Sequence, residues 1–513
     1  MDCELLLDTV RRGSNFAALI VAALIAPAAQ AAVTISSATT QNMSCSNDVC
    51  TPTAAKAVLN AGDLETLLAS GSVEVTTTGT GVQAKDITIK APLTWSSGSV
   101  LTLDAHKSIA VDRPISIAGL ASLVLNTNDG GRKRSYIFGK NGNVSFANLS
   151  SRLTINGVSY TLVDDLKTLA SDIAANPSGN FALANNYDAS QGGSYSVTTT
   201  FTGTFEGLGN VISNFAWEGT SGNIGLFAEV GIGGNLRDIG LINANLGGYN
   251  QKAKTNPYIG TLAGFNFGTV LFSYATGTVV DKRGSSAGGL VGVNEGTIRN
   301  SHAAVAVSAA RDIYGSAGGL VGGSEGIIIG SYATGAVSGY TAGGLLASCL
   351  GGTVTGSYAT GNVRAAASFD YGGGLVGRND GAAISDSYAT GAVSGGQSSH
   401  VGGLIGENEG TTSFSYSTGV VSGEAGSLVG GLIGDDEAPS GSLDDTYWDT
   451  DTSGITNLSQ GAGNIANDPG ITGLTTAQFQ SGLPAGFDPK VWAEQANLNG
   501  GLPYLLANPP PRH

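Results

Sequence analysis

The chain is poor in charged residues, which make up only 12% of its 513 positions. Proline, lysine and glutamate are too scarce for a disordered chain, and the composition lacks the Ala, Glu, Lys and Leu richness of long helices. Basic residues are also fewer than acidic ones, so the net charge is −15 and the pI is near 4.6. Nucleic acid is therefore excluded as a partner, because phosphate binding needs a basic face.

Glycine, in contrast, is abundant, with 79 residues. Glycine and asparagine separate short runs of valine, isoleucine and leucine, a pattern that predicts many short strands and many turns. The length suits two to four ordinary domains or one long stack of repeats.

The N-terminal residues carry a targeting signal. Arginines precede an apolar run from Phe16 to Ala26, and Ala29 and Ala31 then supply the small residues of a signal-peptidase site. This pattern predicts a signal peptide over residues 1–31, with cleavage after Ala31. The run is too short to span a bilayer and no second one follows, so we expect no transmembrane segment in the mature chain.

Four cysteines are present, and Cys3 lies within the predicted signal peptide. Cys45 and Cys50 stand close together in a chain directed to an oxidising compartment, which predicts a local disulfide; a metal site would need more ligands nearby. Cys349 lies alone in a region where related segments carry small residues. We expect it to be a buried free thiol.

One repeated unit organises residues 257–434. Its first half reads Gly-Gly-Leu-Val-Gly, its second half reads Ser-Tyr-Ala-Thr-Gly, and its leucines recur every 25 to 30 residues. These leucines are Leu262, Leu290, Leu320, Leu345, Leu375, Leu404 and Leu432. The two or three apolar runs of each unit are too short for helices, and one unit alone cannot bury a core, whereas stacked units can. We predict an all-β fold, a parallel β-helix of stacked rungs with the leucines inside and the glycines at tight corners.

Stacked rungs place like residues above one another, so two ladders are expected. The members are Tyr274, Tyr332, Tyr358, Tyr388 and Tyr416 in one ladder and Thr276, Thr334, Thr360, Thr390 and Thr418 in the other. The copy at Ser301-His302 is degenerate. A regular threonine row is compatible with an ice-binding surface. The row is only one residue wide, however, so the favoured interpretation is that the threonines pack on one another within the ladder. The sequence leaves open whether the two rows point inward or outward.

The repeated unit resembles the GLUG repeat of bacterial filamentous-haemagglutinin-like adhesins. The centre of that motif is matched at residues 294–298 and 408–410, its lead-in at residues 201–212 and 225–228, and the resemblance covers residues 87–505. It implies a protein secreted from, or held on the surface of, a Gram-negative-type bacterium. Such a protein would attach to glycans or proteins of a host or neighbouring cell through a non-catalytic surface.

An outer-membrane export partner is a further candidate that the resemblance implies. The family's export domain usually carries Asn-Pro-Asn motifs, and this sequence has none. Export by such a partner is therefore left open.

Five segments are predicted. They are a signal peptide at 1–31, an N-terminal haemagglutinin-like β-helix at 32–160, a connecting region at 161–256, GLUG-type repeats at 257–434 and a C-terminal cap at 435–513. Leucine and isoleucine recur at near-helical spacing over residues 163–175, which predicts a short helix that ends before Pro177. The aromatic residues Phe479, Phe487 and Trp492 suit a cap over the last rung, and a sugar-binding platform is the alternative.

No catalytic constellation recurs in the sequence, and its four histidines are scattered. We therefore predict a binding protein and not an enzyme, with specificity in the segments that vary between copies, at 281–285, 364–371 and 397–400. Two alternatives stay open. A β-helix can host a polysaccharide lyase or hydrolase, which needs converging carboxylates, or the stack can be a structural component of a biofilm matrix.

One motif suggests a metal. Asp449, Asp451 and Ser453 have the spacing of the first half of a calcium loop, but Gln460 stands where the twelfth, acidic ligand belongs. Calcium at these residues is one interpretation and a polar turn is the other. No other cofactor is expected.

Overall fold

The computed structural model describes residues 32–127, 135–219, 222–248, 257–282, 284–310, 315–365 and 367–511. The predicted signal peptide, its cleavage residue Ala31 and Cys3 lie outside these residues. The described chain is a parallel β-solenoid with few short helices, which confirms the predicted fold class. None of its helices is long and apolar enough to cross a bilayer.

Two ten-residue helices pack on the strands. Asp165 caps the predicted one, since its carboxylate accepts a hydrogen bond from the Thr168 N–H at 2.8 Å. The other, capped by Asn60, was not expected, although Leu64 and Leu68 are one turn apart and both buried. The helices are Ala61–Ser70, Leu166–Ala175, the single turns Ala189–Gly192 and Thr476–Phe479, and the 3-10 turn Asn499–Gly501.

The strands form two solenoids with separate hydrophobic cores. We name residues 32–155 the first solenoid and residues 158–474 the second. The strands of the first are Ala32–Ser36, Met43–Ser46, Val49–Pro52, Ala57–Asn60, Val73–Thr76, Thr78–Gly79, Val82–Gln83, Asp86–Ile89, Leu93–Trp95, Val100–Ala105, Ser108–Val111, Ile115–Ile117, Ser122–Thr127, Ser135–Phe138, Val144–Phe146 and Arg152–Ile155.

The second solenoid begins with strands that lead into the repeats. They are Val158–Val163, Asn180–Leu183, Tyr187–Asp188, Thr204–Glu206, Val211–Ser213, Ala216–Gly219, Phe227–Val230, Asn235–Arg237, Gly240–Gly248, Ile259–Gly260, Ala263–Asn266, Thr269–Leu271 and Tyr274–Asp281. Their side chains share one core with those of the repeats, so residues 161–256 continue the same stack.

The repeats then supply four or five short strands to each turn. They are Ser286–Gly288, Val291–Asn294, Thr297–Arg299, His302–Ala309, Ser316–Gly318, Val321–Ser324, Ile327–Ile329, Tyr332–Ala333, Val337–Ser338, Thr341–Gly343, Leu346–Cys349, Thr353–Thr355, Tyr358–Ala359, Val363–Ala365, Tyr371–Gly373, Val376–Asn379, Ala383–Ser385, Tyr388–Ala389, Val393–Gly395, His400–Gly402, Ile405–Asn408, Thr411–Ser413, Tyr416–Ser417, Val421–Gly423, Leu428–Gly430 and Ile433–Asp436. The last strands are Leu443–Asp444, Thr446–Asp449, Ile471–Leu474, Trp492–Ala493 and Tyr504–Leu505.

A hairpin joins the two solenoids. Strands Arg152–Ile155 and Val158–Val163 pair antiparallel, and parallel stacking resumes at the next strand. In this next strand, Asn180–Leu183, Phe181 faces the core of the second solenoid, whereas Ala182 faces the core of the first. The two interiors therefore lie on opposite faces of one sheet. The strand direction reverses at the hairpin, and the face of the sheet that is buried changes as well. The second solenoid is therefore rotated by half a turn about the stacking axis relative to the first.

The Gly-Gly-Leu-Val-Gly segment does not form a single strand, although its apolar run predicts one. A corner at Gly289-Leu290 divides it into strands Ser286–Gly288 and Val291–Asn294. A Cβ atom on Gly289 would lie 2.1 Å from the carbonyl oxygen of Gly319 on the next rung, so this corner needs glycine for close approach. All seven repeat leucines are fully buried, as predicted.

The tyrosine ladder forms and includes the degenerate copy. His302 occupies the missing position, between Tyr274 and Tyr332, and the rings stack 4.6 to 5.1 Å apart and within 8° of parallel. The row points outward, because the residue after each ring is buried, an alanine in five copies and Ser417 after Tyr416. The threonines follow at the next corner, where Thr360 donates its N–H to the Ala333 carbonyl.

An asparagine ladder runs inside the stack. Asn266 donates to Asn294 at 2.7 Å, and Asn379 donates to Asn408 at 2.8 Å. Ser324 and Cys349 occupy the rungs between these pairs, so the residues equivalent to Cys349 are serine and asparagine and not merely small. The thiol of Cys349 is free and buried, as expected, and burial raises its pKa to about 12.

The C-terminal segment, residues 475–511, lies along the side of the stack. We name it the strap. Phe479 and Trp492 pack against Tyr416, with ring centres 5.3 and 5.9 Å away, and Asn508 reaches the Ser331 carbonyl oxygen at 3.4 Å. These aromatic residues were expected over the last rung. They cover the outward tyrosine row instead, because its ring edges offer a continuous apolar surface.

Candidate functional site

A shallow groove of about 590 Å³ follows the outer face of the second solenoid. We name it the repeat groove. Six successive rungs contribute to it, each through a short strand whose central valine is buried in the core while its neighbours face outward. Its lining residues are Thr278, Val279, Val280, Ala306, Val307, Ser308, Ala336, Val337, Ser338, Asn362, Val363, Arg364, Ala392, Val393, Ser394, Val420 and Ser422. Small side chains on every rung keep this face concave.

The lining of the repeat groove is mainly uncharged. Arg364 is the one charged residue among the described residues that line it, and none of these is a carboxylate, a histidine or a cysteine. The groove offers apolar surface with hydroxyl groups at its edge, such as the Ser338 hydroxyl, which bonds to Ser308 at 3.2 Å.

A second hollow continues the repeat groove at its N-terminal end. It measures about 450 Å³ and shares Val280 with the groove. Trp217, Glu218 and Lys282 line it. An indole and two charged groups at one end of a groove whose described lining has a single charged residue provide an anchor of the kind that binding surfaces use.

The segments that vary between copies bring charged and aromatic residues together on another face. Tyr371 and His400 are register partners on adjacent rungs, with ring centres 5.3 Å apart. The His400 Nδ1 atom lies 3.4 Å from Glu407 and 3.2 Å from Asp435. The contact with the Glu407 carboxylate and the negative charge of Asp435 raise the pKa of His400.

Arg378 completes this group, which we name the charged cluster. Its guanidinium is ion-paired with Asp380 at 2.8 Å, Glu407 at 3.2 Å and Glu409 at 3.4 Å. The oxygens of these three carboxylates are close enough together to hold a metal ion, but the guanidinium lies among them. Four carboxylates face one guanidinium and one imidazole, so the cluster keeps a net negative charge.

A third recess of about 530 Å³ lies where the two solenoids and the end of the strap meet. Phe138 comes from the first solenoid, Phe272 and Tyr274 from the second, and Pro511 from the strap. Burial lowers the pKa of His302, which also lines this recess, to about 4. Its imidazole is consequently neutral at physiological pH, and a lysine, an aspartate and an asparagine also line the recess, so its surface is part aromatic and part polar.

The predicted calcium motif forms a tight turn. One oxygen of Asp449 accepts hydrogen bonds from the N–H groups of Asp451 and Thr452, and its other oxygen accepts from the Thr476 hydroxyl at 2.7 Å. Ser453 accepts from the Ile455 N–H. These contacts fix the start of the strap, and calcium binding at the turn stays a prediction.

The predicted disulfide partners stand opposite each other. Cys45 and Cys50 are register partners in the hairpin Met43–Ser46 and Val49–Pro52, and their sulfur atoms are bonded. This hairpin lies at the N-terminal edge of the first solenoid, where its second strand pairs with Val73–Thr76.

Sequence comparisons agree with the repeat. The GLUG motif matches residues 371–394, which make up most of one rung. Halomucin from Haloquadratum walsbyi is 32% identical over 163 residues, which are 31% of this chain and 2% of halomucin. The chain thus spans a very small part of that relative's length.

One solved structure is also similar, a protein from Bacteroides ovatus called a "putative immunoglobulin A1 protease". The match has 19% identity and a TM-score of 0.39, and it covers 68% of this chain and 92% of the other. At that score the similarity supports no conclusion about activity.

Proposed function

We propose that the protein is a secreted or cell-surface adhesin, related in kind to the filamentous haemagglutinins of Gram-negative-type bacteria, and that it attaches to glycans or proteins of a host or neighbouring cell. The repeat groove carries this proposal, because it is extended, uniform and without catalytic groups. The GLUG match and the similarity to halomucin support a repeat protein of the cell exterior.

The shape of the groove favours a linear ligand. At about 4.8 Å per rung, six rungs extend roughly 24 Å along the stack. Small side chains allow a polymer chain to approach the sheet closely, hydroxyls supply hydrogen bonds, and Arg364 favours a chain with an acidic group. We infer that a polysaccharide or an extended peptide lies parallel to the axis.

Filling the groove tests this proposal. Ala392 is exposed in the groove, and Ala383 is exposed on a different face of the same rung. The variant Ala392→Trp should lower binding to intact cells and to a glycan array at least tenfold, whereas Ala383→Trp should bind as the unmodified protein does. Equal binding by all three proteins would overturn the groove as the attachment surface. Self-association without binding to any cell or glycan would point to a matrix component.

The charged cluster favours a second candidate function. Two carboxylates, of Glu407 and Asp435, flank His400 on neighbouring rungs, and paired carboxylates are the machinery of glycoside hydrolysis. A carbohydrate-active enzyme would release reducing ends or unsaturated sugars from a polysaccharide, and Glu407→Gln would abolish that release. A panel of polysaccharides that all stay intact would remove this candidate.

A further inference from the structure

Two aspartates meet in a small cavity near the C-terminal end of the second solenoid. Asp436 and Asp468 both line this space of about 190 Å³ and are exposed by only 5% and 8%. The loop 438–443, which carries the hydroxyls of Ser440 and Ser442, forms another wall. Neither aspartate belongs to the turn at Asp449 that the sequence had suggested as a metal site.

Asp436 stands at the end of the asparagine ladder. Asn408 donates to the Asp436 Oδ1 atom at 2.8 Å, as Asn379 donates to Asn408 one rung earlier. A carboxylate cannot donate onward as an amide does. Asn464 bonds instead to the backbone of Asp436, accepting its N–H and donating to its carbonyl oxygen, both at 2.9 Å. The ladder therefore ends in a carboxyl group beside the cavity.

Asp468 lies against Asp436, and its Oδ2 atom is buried without a hydrogen-bond donor in the described part of the chain. Burial and the neighbouring carboxyl raise the pKa of Asp468 to about 6. Two adjacent buried carboxyl groups repel each other when ionised, and a cation between them offsets that repulsion. Residues 435–470 contain eight aspartates and glutamates and no lysine or arginine, so the sequence around the cavity supplies no such group.

We propose that Asp436 and Asp468 bind a calcium ion in this cavity. Calcium takes six to eight oxygen ligands in flexible geometry, whereas magnesium demands a near-ideal octahedron. Two carboxylates supply up to four oxygens, and the serine hydroxyls, loop carbonyls and water can complete the shell. The loop contains proline, serine and glycine, and its shape is set by a turn and not by a strand, which suits the more adaptable ion.

Calorimetric titration of the purified full chain with CaCl₂, after treatment with EDTA, tests the site. We expect one ion per chain with a dissociation constant of about 10⁻⁴ to 10⁻³ M, the range of extracellular calcium modules, and a rise in melting temperature with calcium. Asp436→Asn and Asp468→Asn should each weaken binding at least tenfold. Asp436→Asn should fold, because asparagine occupies the equivalent position at Asn379 and Asn408.

The variant Asp451→Asn provides the matched control, since Asp451 belongs to the turn that the sequence suggested. It should bind calcium as the unmodified protein does. Loss of binding in Asp451→Asn with retention in Asp436→Asn would move the site to that turn and overturn the proposal. Absence of calcium uptake by the unmodified protein at 10 mM CaCl₂, roughly ten times the weakest expected constant, would identify the aspartates as a pair that only shares a proton. That result would also overturn the proposal.

Discussion

The guanidinium of Arg237 lies 3.9 Å from the centre of the Tyr136 ring, a contact between the second solenoid and the first. Arg237 is also ion-paired with Glu206 at 3.3 Å and with Asp238 at 2.8 Å, and the Tyr136 hydroxyl donates to Glu206. Glu206 is fully buried. The outer face of one solenoid is thereby fastened to the end of the other by a buried group of charges.

Removing the guanidinium should destabilise this junction strongly. Arg237→Ala leaves Glu206 and Asp238 buried without their cation, which costs about 3–5 kcal/mol of unfolding free energy. Arg299 stands two rungs further along the same outward column and is exposed, so Arg299→Ala should change stability by less than about 0.5 kcal/mol. Urea unfolding of both variants measures the difference, and similar losses would contradict this role of Arg237.

The same junction should make stability depend on pH. Burial raises the pKa of Asp238 to about 6 and raises that of Glu206 as well, and the positive charge of Arg237 offsets this rise only in part. A carboxyl whose pKa is raised in the folded state stabilises the fold below its unfolded pKa, and this contribution disappears as the pH rises through the folded pKa. The melting temperature should therefore fall as the pH rises from about 4 to above 6.

Single substitutions isolate that effect. Asp238→Asn should reduce the fall in melting temperature between these pH values, whereas a substitution of the exposed Asp164, Asp164→Asn, should leave it unchanged. Asp468→Asn, measured in EDTA, separates the contribution of the C-terminal cavity. A profile that Asp238→Asn leaves unaltered would show that the junction does not titrate in this range.

The tyrosine ladder offers a comparison between two neighbouring hydroxyls. That of Tyr388 is buried with no hydrogen-bond partner among the described residues, whereas that of Tyr416 bonds to the Pro503 carbonyl oxygen at 2.6 Å and to Asn499 at 2.9 Å. Tyr388→Phe should leave stability unchanged or raise it, and Tyr416→Phe should lower it by about 1 kcal/mol. Thermal unfolding distinguishes them, and a greater loss from Tyr388→Phe would refute the assignment.

The corner glycines should tolerate no side chain. A Cβ atom on Gly374 would lie 2.1 Å from the Gly403 carbonyl oxygen, so Gly374→Ala should cost roughly 1–3 kcal/mol by forcing two rungs apart. Gly71 has extended backbone and open space around it, and Gly71→Ala should not destabilise. Denaturant midpoints of the two variants provide the check. Equal midpoints would mean that the two rungs can move apart at this corner without loss of stability.

Features that repeat could be predicted from the sequence, because stacking brings equivalent residues of successive units into contact. The leucine row and the tyrosine row follow from register alone. The neighbouring positions of Tyr371 and His400 follow in the same way, since both lie in segments expected to vary. Their carboxylate partners Glu407 and Asp435 did not stand out, because the earlier copies carry glycine, serine and arginine at the equivalent position.

Features that occur once were harder to predict. Asn156-Gly157 is a recognisable turn signal, yet only the structure shows that this hairpin exchanges the interior face of the sheet. The strap lacks periodicity, and its Asn508 meets a residue 177 positions away. The repeat groove is lined by alanine, serine and valine, whose individual positions carry no chemical signal in the sequence.

The strap also limits how the molecule can lengthen in evolution. It is anchored to rungs from Ser331 to Tyr447, through Asn508 at one end and the Ala485 carbonyl oxygen at the other. Duplication of a unit before Ser331 would lengthen the stack by about 4.8 Å and leave both of these anchors in place. Duplication after Ser331 would separate the anchors by one rung. Relatives of different length should accordingly gain or lose whole units on the N-terminal side of the strap.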